Sequence, residues 1–303
     1  MPSKIKTVKR LSQRYKNFSF SELMTKADEE FLESIIEMDS MGNILYESKY
    51  DNQGELEEKN SLIYTSEGKL LEHVLYYAMD DMTEKRLLKR DEKGRLLEET
   101  KYYGEESGEK TCYEYNEKDN LSAIIEYDED GQFISREDIK YDEKGGVAER
   151  IKTNEKNDVI EKILFEKTND DKVILEKEFG ADGELRSVST IAFDENGKEI
   201  SIHQSSPDGK LMNGVLTSYD EKGNVLERKY KELHGKVVKY EYDENDRMVT
   251  QEISDTSGLL LRKNIYEYDE SGNLLAEQTF EMDNSRGSKE KHFGTRYEYE
   301  FYE

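Results

Sequence analysis

Residues 142–197 read DEKGGVAERIKTNEKNDVIEKILFEKTNDDKVILEKEFGADGELRSVSTIAFDENG. Five four-residue turn signals punctuate this stretch: DEKG (142–145), NEKN (154–157), TNDD (168–171), GADG (180–183) and DENG (194–197). They end at Gly145, Asn157, Asp171, Gly183 and Gly197, and the series continues at Gly209 and Gly223. The spacing alternates 12 and 14 residues, so the repeating unit is two segments and 26 residues. In Asp-x-x-Gly the first side chain accepts a hydrogen bond from the backbone two residues on. The glycine supplies the positive φ that completes a type I turn as a bulged hairpin loop. Asn and Asp stand in for glycine because they tolerate the left-handed region better than other residues.

Outward from this stretch the same signal recurs at DSMG (39–42), DNQG (51–54), TSEG (65–68), DEKG (91–94), DEDG (128–131), SPDG (206–209), DEKG (220–223), DTSG (255–258) and DESG (269–272). Degenerate copies sit at NEKD (116–119) and DEND (243–246). About nine or ten copies of the unit are expected, which makes this a tandem-repeat chain. The eight to ten residues between turns suit a strand and are short for a helix. Segments such as KVVKYEYDEN and KNIYEYDESG place aromatics just before the turn, so Tyr266 and Tyr268 share one face of a strand and Glu267 and Asp269 the other. Short turns join antiparallel neighbours, so the spacing predicts an all-β antiparallel meander of about 18–20 strands. A twisted sheet of that size does not stay flat, and a coiled or spiralling sheet is the expected form.

Composition agrees with thin burial. Of 303 residues 34% are apolar and 38% charged, yet 21 Tyr and 10 Phe with two Pro speak against a disordered chain. The net charge of −25 favours basic partners and disfavours nucleic acid and anionic membranes. The acidity is uneven: Lys4, Lys6, Lys9, Arg10, Arg14 and Lys16 fall in residues 1–17 without an acid. This reads as a basic arm that folds back on the body, docks on a partner or touches nucleic acid. The spacing of Phe20, Leu23, Met24 and Ala27, with Ser19 or Ser21 as cap, predicts a short helix after the arm. The expected organisation is therefore an arm and helix over 1–30 and a β-repeat domain over 31–303. The last strand, RYEYEFYE (296–303), is expected to be an unprotected edge. No apolar run follows the basic start as in a signal peptide, no stretch has the length of a membrane span, and Cys112 is the single cysteine. Cytoplasmic localisation is the expectation.

The strings YEYDENDR, YEYDESGNLL, SYDEKGNVL and KYDEKGG resemble the YD repeats of Rhs-family bacterial proteins, over about residues 31–300. The resemblance implies a coiling β-sheet that in that family builds a shell around a cargo polypeptide, with carbohydrate binding as a second role. This chain departs from the family in being short, very acidic and without a self-cleaving core domain or toxin tail. A weaker likeness is to MORN-like repeats, some of them partners of toxins; the 12/14 alternation and the Asp-x-x-Gly turns fit the YD pattern better.

No catalytic constellation is legible. His73, His203, His234 and His292 form no metal-ligand spacing, Cys112 has no base positioned beside it, and DEDG (128–131) lacks the continuation of a calcium loop. No enzyme, cofactor or metal is expected. The leading expectation is a non-catalytic scaffold for protein–protein interaction, a subunit or a regulatory or neutralising partner of a toxin or defence enzyme, with a basic-surfaced partner and self-association through edge strands. The alternative is a carbohydrate- or small-ligand-binding module. Candidate partner-binding residues are Lys4, Lys6, Lys9, Arg10 and Arg14 of the arm, and Tyr240, Tyr242, Tyr266 and Tyr268, whose plain reading is as ladder residues of the sheet.

Overall fold

A computed structural model describes residues 4–15, 27–104, 108–168, 172–231, 235–283 and 289–303. Its secondary structure is strand and turn throughout, with no helix among the described residues. In chain order the strands are β1 (Ile5–Tyr15), β2 (Glu29–Met38), β3 (Ile44–Tyr50), β4 (Leu56–Tyr64), β5 (Leu70–Tyr77), β6 (Met82–Arg90), β7 (Leu96–Tyr103), β8 (Glu109–Tyr115), β9 (Leu121–Tyr127), β10 (Phe133–Tyr141) and β11 (Val147–Asn154). They continue with β12 (Val159–Lys167), β13 (Val173–Gly180), β14 (Leu185–Phe193), β15 (Glu199–Ser205), β16 (Leu211–Tyr219), β17 (Val225–Tyr230), β18 (Lys236–Tyr242), β19 (Met248–Asp255), β20 (Leu260–Tyr268), β21 (Leu274–Asp283) and β22 (Lys289–Phe301).

All twenty-two belong to one antiparallel sheet, and its first and last strands pair with each other. The expected open coil with free ends is corrected by this pairing, and no helix occurs among the described residues. Residues 5–15 of the basic arm are strand β1, hydrogen-bonded on one side to β2 and on the other to β22. The last strand is therefore no unprotected edge. Closure has a physical cause, since an unpaired edge leaves a row of backbone donors and acceptors exposed for pairing and pairing the two ends removes it. Of the expected helix, residues 17–26 lie outside the described residues; Ala27 and Asp28 lead directly into β2.

The chain divides into two compact units, one of Met1–Thr83, Tyr219–Lys229 and His234–Glu303, the other of Glu84–Ser218 and Tyr230–Leu233. In the first, the ladder runs from β17 through β22, across β1, and on through β2 to β5. In the second it runs without interruption from β6 to β16.

The turns follow the predicted chemistry closely. At 39–43 the Gly42 N–H donates to Asp39 O at 3.0 Å and the Asp39 N–H to Asn43 O at 2.9 Å, while Asp39 Oδ1 accepts from the Met41 and Asn43 N–H groups. Gly42 has φ +90, and the degenerate copies keep the same conformation with Asp119 at φ 64, Asn157 at φ 61 and Asp246 at φ 61. The TNDD copy lies mostly outside the described residues. Asp81, at φ 47, makes a further left-handed turn position in the stretch 76–86 where the sequence pattern breaks, and the Tyr76 hydroxyl donates to its Oδ1 at 3.0 Å. Each such turn shifts the register by one residue beside it, for example between Lys49 and Tyr50, which is the bulge that lets a type I turn join twisted strands.

Burial is thin, as the composition implies. The buried apolar side chains among the described residues are Val8, Ala123, Ile125, Val238 and Phe280, fewer than the buried polar ones, which include Ser34, Ser135, Thr250, Asn264, Gln278, Thr279 and His292. Backbone geometry at the turns therefore weighs heavily in stability. A methyl group on Gly145 would meet open space, but its φ of +86 is costly for an alanine. Gly145→Ala is expected to destabilise by about 1–2 kcal/mol, and Gly145→Asn by less, read as shifts in the denaturant midpoint.

Candidate functional site

The strands of the 26-residue unit bring every second turn to the same rim of the sheet, neighbouring turns lying about 10 Å apart, two strand spacings. In the second unit this rim carries the turns at 91–95, 116–120, 142–146 and 194–198; in the first it carries those at 39–43, 65–69, 220–224, 243–247 and 269–273. Adjacent turns lock together. Lys93 and Arg95 both reach Asp119 of the next rim turn, Lys222 and Asn224 reach Asp246, and Lys167 reaches back to Asp142.

The tyrosine before the turn has a defined task. The Tyr115 hydroxyl donates to Leu96 O at 2.8 Å, Tyr141 to Leu121 O at 2.7 Å, Tyr242 to Val225 O at 2.9 Å, Tyr268 to Met248 O at 2.9 Å and Tyr299 to Leu274 O at 2.7 Å. In each case the carbonyl is that of the strand residue following an earlier turn on the same rim, so each tyrosine ties one repeat to the one before it. Two copies add an arginine. Arg247 Nε donates to Asp243 of its own turn and its Nη1 to Asp269 O of the next, with the guanidinium over the Tyr268 ring at 5.0 Å; Arg95 holds Asp91 and lies over the Tyr115 ring at 4.5 Å. The Tyr-Asp pairing of the sequence is thus a repeat-to-repeat clasp.

Several carboxylates of these turns are held below the ordinary range by the bonds they accept. For Asp39 the Asn43 side chain is the largest lowering influence, for Asp119 the Lys93 ammonium, and for Asp243 the Arg247 backbone N–H. The second residue of the turn is different. Glu92, Glu117, Glu143 and Glu195 in one unit, and Glu221, Glu244 and Glu270 in the other, are exposed. Among the described residues none of the seven has an ion-pair partner. Each unit therefore displays a row of unpaired carboxylates on a rim built from paired ones.

The sequence-derived candidates fall into two groups. Lys4 donates to Ser40 O at 2.5 Å, Lys9 pairs with Glu300 at 3.7 Å and Arg10 with Glu33 at 3.6 Å, Arg14 lies over the Phe31 ring at 5.2 Å, and Lys6 is exposed on β1. The arm's cations thus face the protein's own acidic strands. Tyr240 and Tyr242 on β18, and Tyr266 and Tyr268 on β20, flank β19; all four are half-buried, and the hydroxyls of Tyr242 and Tyr268 are spent on carbonyls. The seven rim glutamates are absent from the sequence-derived set. Their signal was the Glu that recurs after the Asp in DEKG, DENG, DEND and DESG, which is invisible as a feature until alternate turns are seen to share a rim.

Groups suited to chemistry are tied up. Burial pushes the Cys112 thiol up, away from the reactive thiolate. His292, buried, is sandwiched between Tyr15 (centroids 3.8 Å) and Phe280 (4.2 Å), with Nε2 3.3 Å from Gln278 Oε1. His73 Nε2 lies 2.8 Å from Asn60 Oδ1. Among the described residues no group of three or more His, Cys, Asp or Glu could hold a metal ion.

No protein-family model matches the chain, and no curated protein matches it. Among solved structures it is similar to a chain in a crystal structure of TcdB2-TccC3-TEV, at 11% identity and a TM-score of 0.41 over 93% of this chain and 19% of that one. This chain thus spans about a fifth of that neighbour's length. It is also similar to a porin-like protein from Bacteroides uniformis ATCC 8492, at 10% identity and a TM-score of 0.30 over 99% of both chains. At these scores neither likeness carries an inference.

Two outcomes follow from the site. Tyr268→Phe removes one donor to a backbone carbonyl and is expected to cost about 1 kcal/mol, measured by chemical unfolding, with Tyr266→Phe as the comparison. Burial holds His292 below its ordinary pKa, so the unfolded chain binds the proton more readily than the folded one. Stability from this group is present above about pH 6.5 and falls as pH drops below that value. His292→Gln is expected to flatten the fall in stability that sets in below about pH 6.5, leaving the loss at lower pH that the turn aspartates produce.

Proposed function

We propose that this protein is a non-catalytic β-repeat scaffold that binds a partner of basic surface along its rim of turn glutamates. The observation that carries the reading is the contrast within each turn. In seven of the rim turns the opening Asp or Asn accepts from the turn's own backbone, while the Glu beside it is exposed and unpaired, and neighbouring rim turns lie about 10 Å apart. Carboxylates at that pitch match basic side chains at every third residue of a polyproline II chain, which has three residues per turn and advances about 3.1 Å per residue, so that every third side chain lies on one face. The long-range field of a chain with net charge −25 speeds encounter with such a partner.

The YD-repeat resemblance belongs to this proposal. The Tyr-to-carbonyl clasp and the left-handed fourth turn position give its sequence signature a physical role in this chain, and they support a scaffold of that general kind, acting with or against a larger toxin or defence system in the cytoplasm. The sugar-binding alternative loses its main support at Tyr268, whose ring face is covered by Arg247 and whose hydroxyl is engaged.

The test uses a fluorescent peptide carrying lysine at every third residue, titrated into the full chain by anisotropy. Wild type is expected to bind with an affinity that falls steeply between 50 and 200 mM salt, on the order of tenfold. Glu221→Lys, Glu244→Lys and Glu270→Lys combined should weaken binding by at least about tenfold, some 1.4 kcal/mol, with unchanged circular dichroism. Equal affinity of the triple variant and wild type would reject the rim as the binding surface.

A further inference from the structure

Strand β1 differs from its neighbours in three respects. It is joined to β2 by residues 16–28, thirteen residues, whereas every other connection between consecutive strands has four or five. It carries Lys6, Lys9, Arg10 and Arg14 and no acid, and β2 carries Glu29, Glu30, Glu33 and Glu37 and no base. A wholly basic strand thus lies beside a wholly acidic one, with Arg10 paired to Glu33 across the ladder, while Lys9 reaches Glu300 of β22. Finally, the ladder is imperfect at its centre: the register shifts between Arg10 and Leu11, where Arg10 faces Ser34, and there the buried Arg10 Nε and Ser34 Oγ both lack a hydrogen-bond partner. Ser34 is only 1% exposed, so this unmet donor and hydroxyl cost free energy that a well-made ladder would not lose.

Beyond its backbone bonds β1 is held by the burial of Thr7 and Val8, by Arg10 and Arg14 over the Tyr297 and Phe31 rings, and by charge at the surface. The pairs Lys9–Glu300 and Arg10–Glu33 are 3.7 and 3.6 Å long and solvent-exposed, the kind that salt screens. The stack of Tyr15 on His292 closes one end. If β1 leaves, two edges open together, those of β2 and β22, and the slot between them is a template for one extended strand.

We propose that β1 is an exchangeable seam strand and that the slot between β2 and β22 accepts β1 of a second copy of this chain, giving a strand-swapped dimer. The occupant follows from charge and reach. β2 presents four carboxylates, of which Glu30 is paired with Arg296 of β22; the other three, Glu29, Glu33 and Glu37, disfavour the acidic strands of the protein and favour the one strand among those described that is purely basic. A thirteen-residue connection can span up to about 45 Å extended, so exchange between two molecules is not prevented by a tight turn as it is at every other hairpin. An identical β1 restores each contact of the closed protein, so the swap costs little beyond the entropy of association.

The experiment uses the full chain with Cys112→Ser, Gln13→Cys and Glu30→Cys. Gln13 and Glu30 are register partners across the seam, their side chains 2.8 Å apart. Oxidation of a dilute sample at low salt should give an intramolecular crosslink and a monomer on non-reducing electrophoresis. Oxidation after concentrated incubation in about 1 M salt, where the screening length is about 3 Å, should give a covalent dimer at least ten times more abundant. Only intramolecular crosslinks under both conditions would overturn the proposal. So would dimers by light scattering that hold only intramolecular crosslinks, because association would then use another surface. Hydrogen exchange of the unmodified chain is the control on folding: the amides of Lys9–Gln13 are expected to lose protection in high salt ahead of those in β20, and equal protection at both salt concentrations also counts against exchange.

Discussion

The backbone of this protein must satisfy its own hydrogen bonds almost without the help of a core, and the bulged Asp-x-x-Gly turn is what makes that feasible. Five buried apolar side chains among the described residues cannot fix the register of so many strands. Register is set locally instead, hairpin by hairpin, by a carboxylate that binds the backbone of its own loop and a fourth residue in the left-handed region. A one-residue slip would turn each tyrosine to the wrong face and break its bond to the neighbouring repeat.

Above that local device sits the repeat-to-repeat clasp. The tyrosine hydroxyl, the backbone carbonyl it reaches and, at Arg95 and Arg247, the guanidinium over the ring link turns that are adjacent in space and one unit apart in sequence. Each link is small, about 0.5–1.5 kcal/mol, but it recurs, so stability is spread over nearest neighbours as in other repeat proteins. The same economy shapes function. Rim aspartates and the cations Lys93, Arg95, Lys222 and Arg247 are engaged within and between the turns, whereas the seven glutamates remain exposed, and the proposed partner would meet these.

The seam between β1, β2 and β22 follows a different logic. On one side it joins strands from opposite ends of the chain, so no hairpin turn sets the register between β1 and β22. Its cohesion comes from complementary charge, two β-ladders and the Tyr15–His292–Phe280 stack, and its imperfect point is the Arg10–Ser34 bulge.

The turn positions, the antiparallel connectivity and the thin burial were legible in the sequence, because each depends on residues at most a few positions apart: Asp119, Asn157 and Asp246 take the left-handed conformation just where the spacing of Asp-x-x-Gly turns placed them. Asp81 escaped notice because its stretch, AMDD, lacks the opening Asp or Asn and the glycine that announce the turn. The use of the tyrosines was half legible: their alternation gave the face, and only the assembled sheet shows a carbonyl some 20 residues back in reach of Tyr141 and Tyr268. The fate of the basic arm was not legible at all. Whether residues 5–15 hang free or close a sheet depends on the last strand, nearly 300 residues away, arriving beside the first. A pairing between residues so far apart in sequence is decided by the backbone groups of two strand edges that meet only in the assembled sheet, and no local run of residues encodes it.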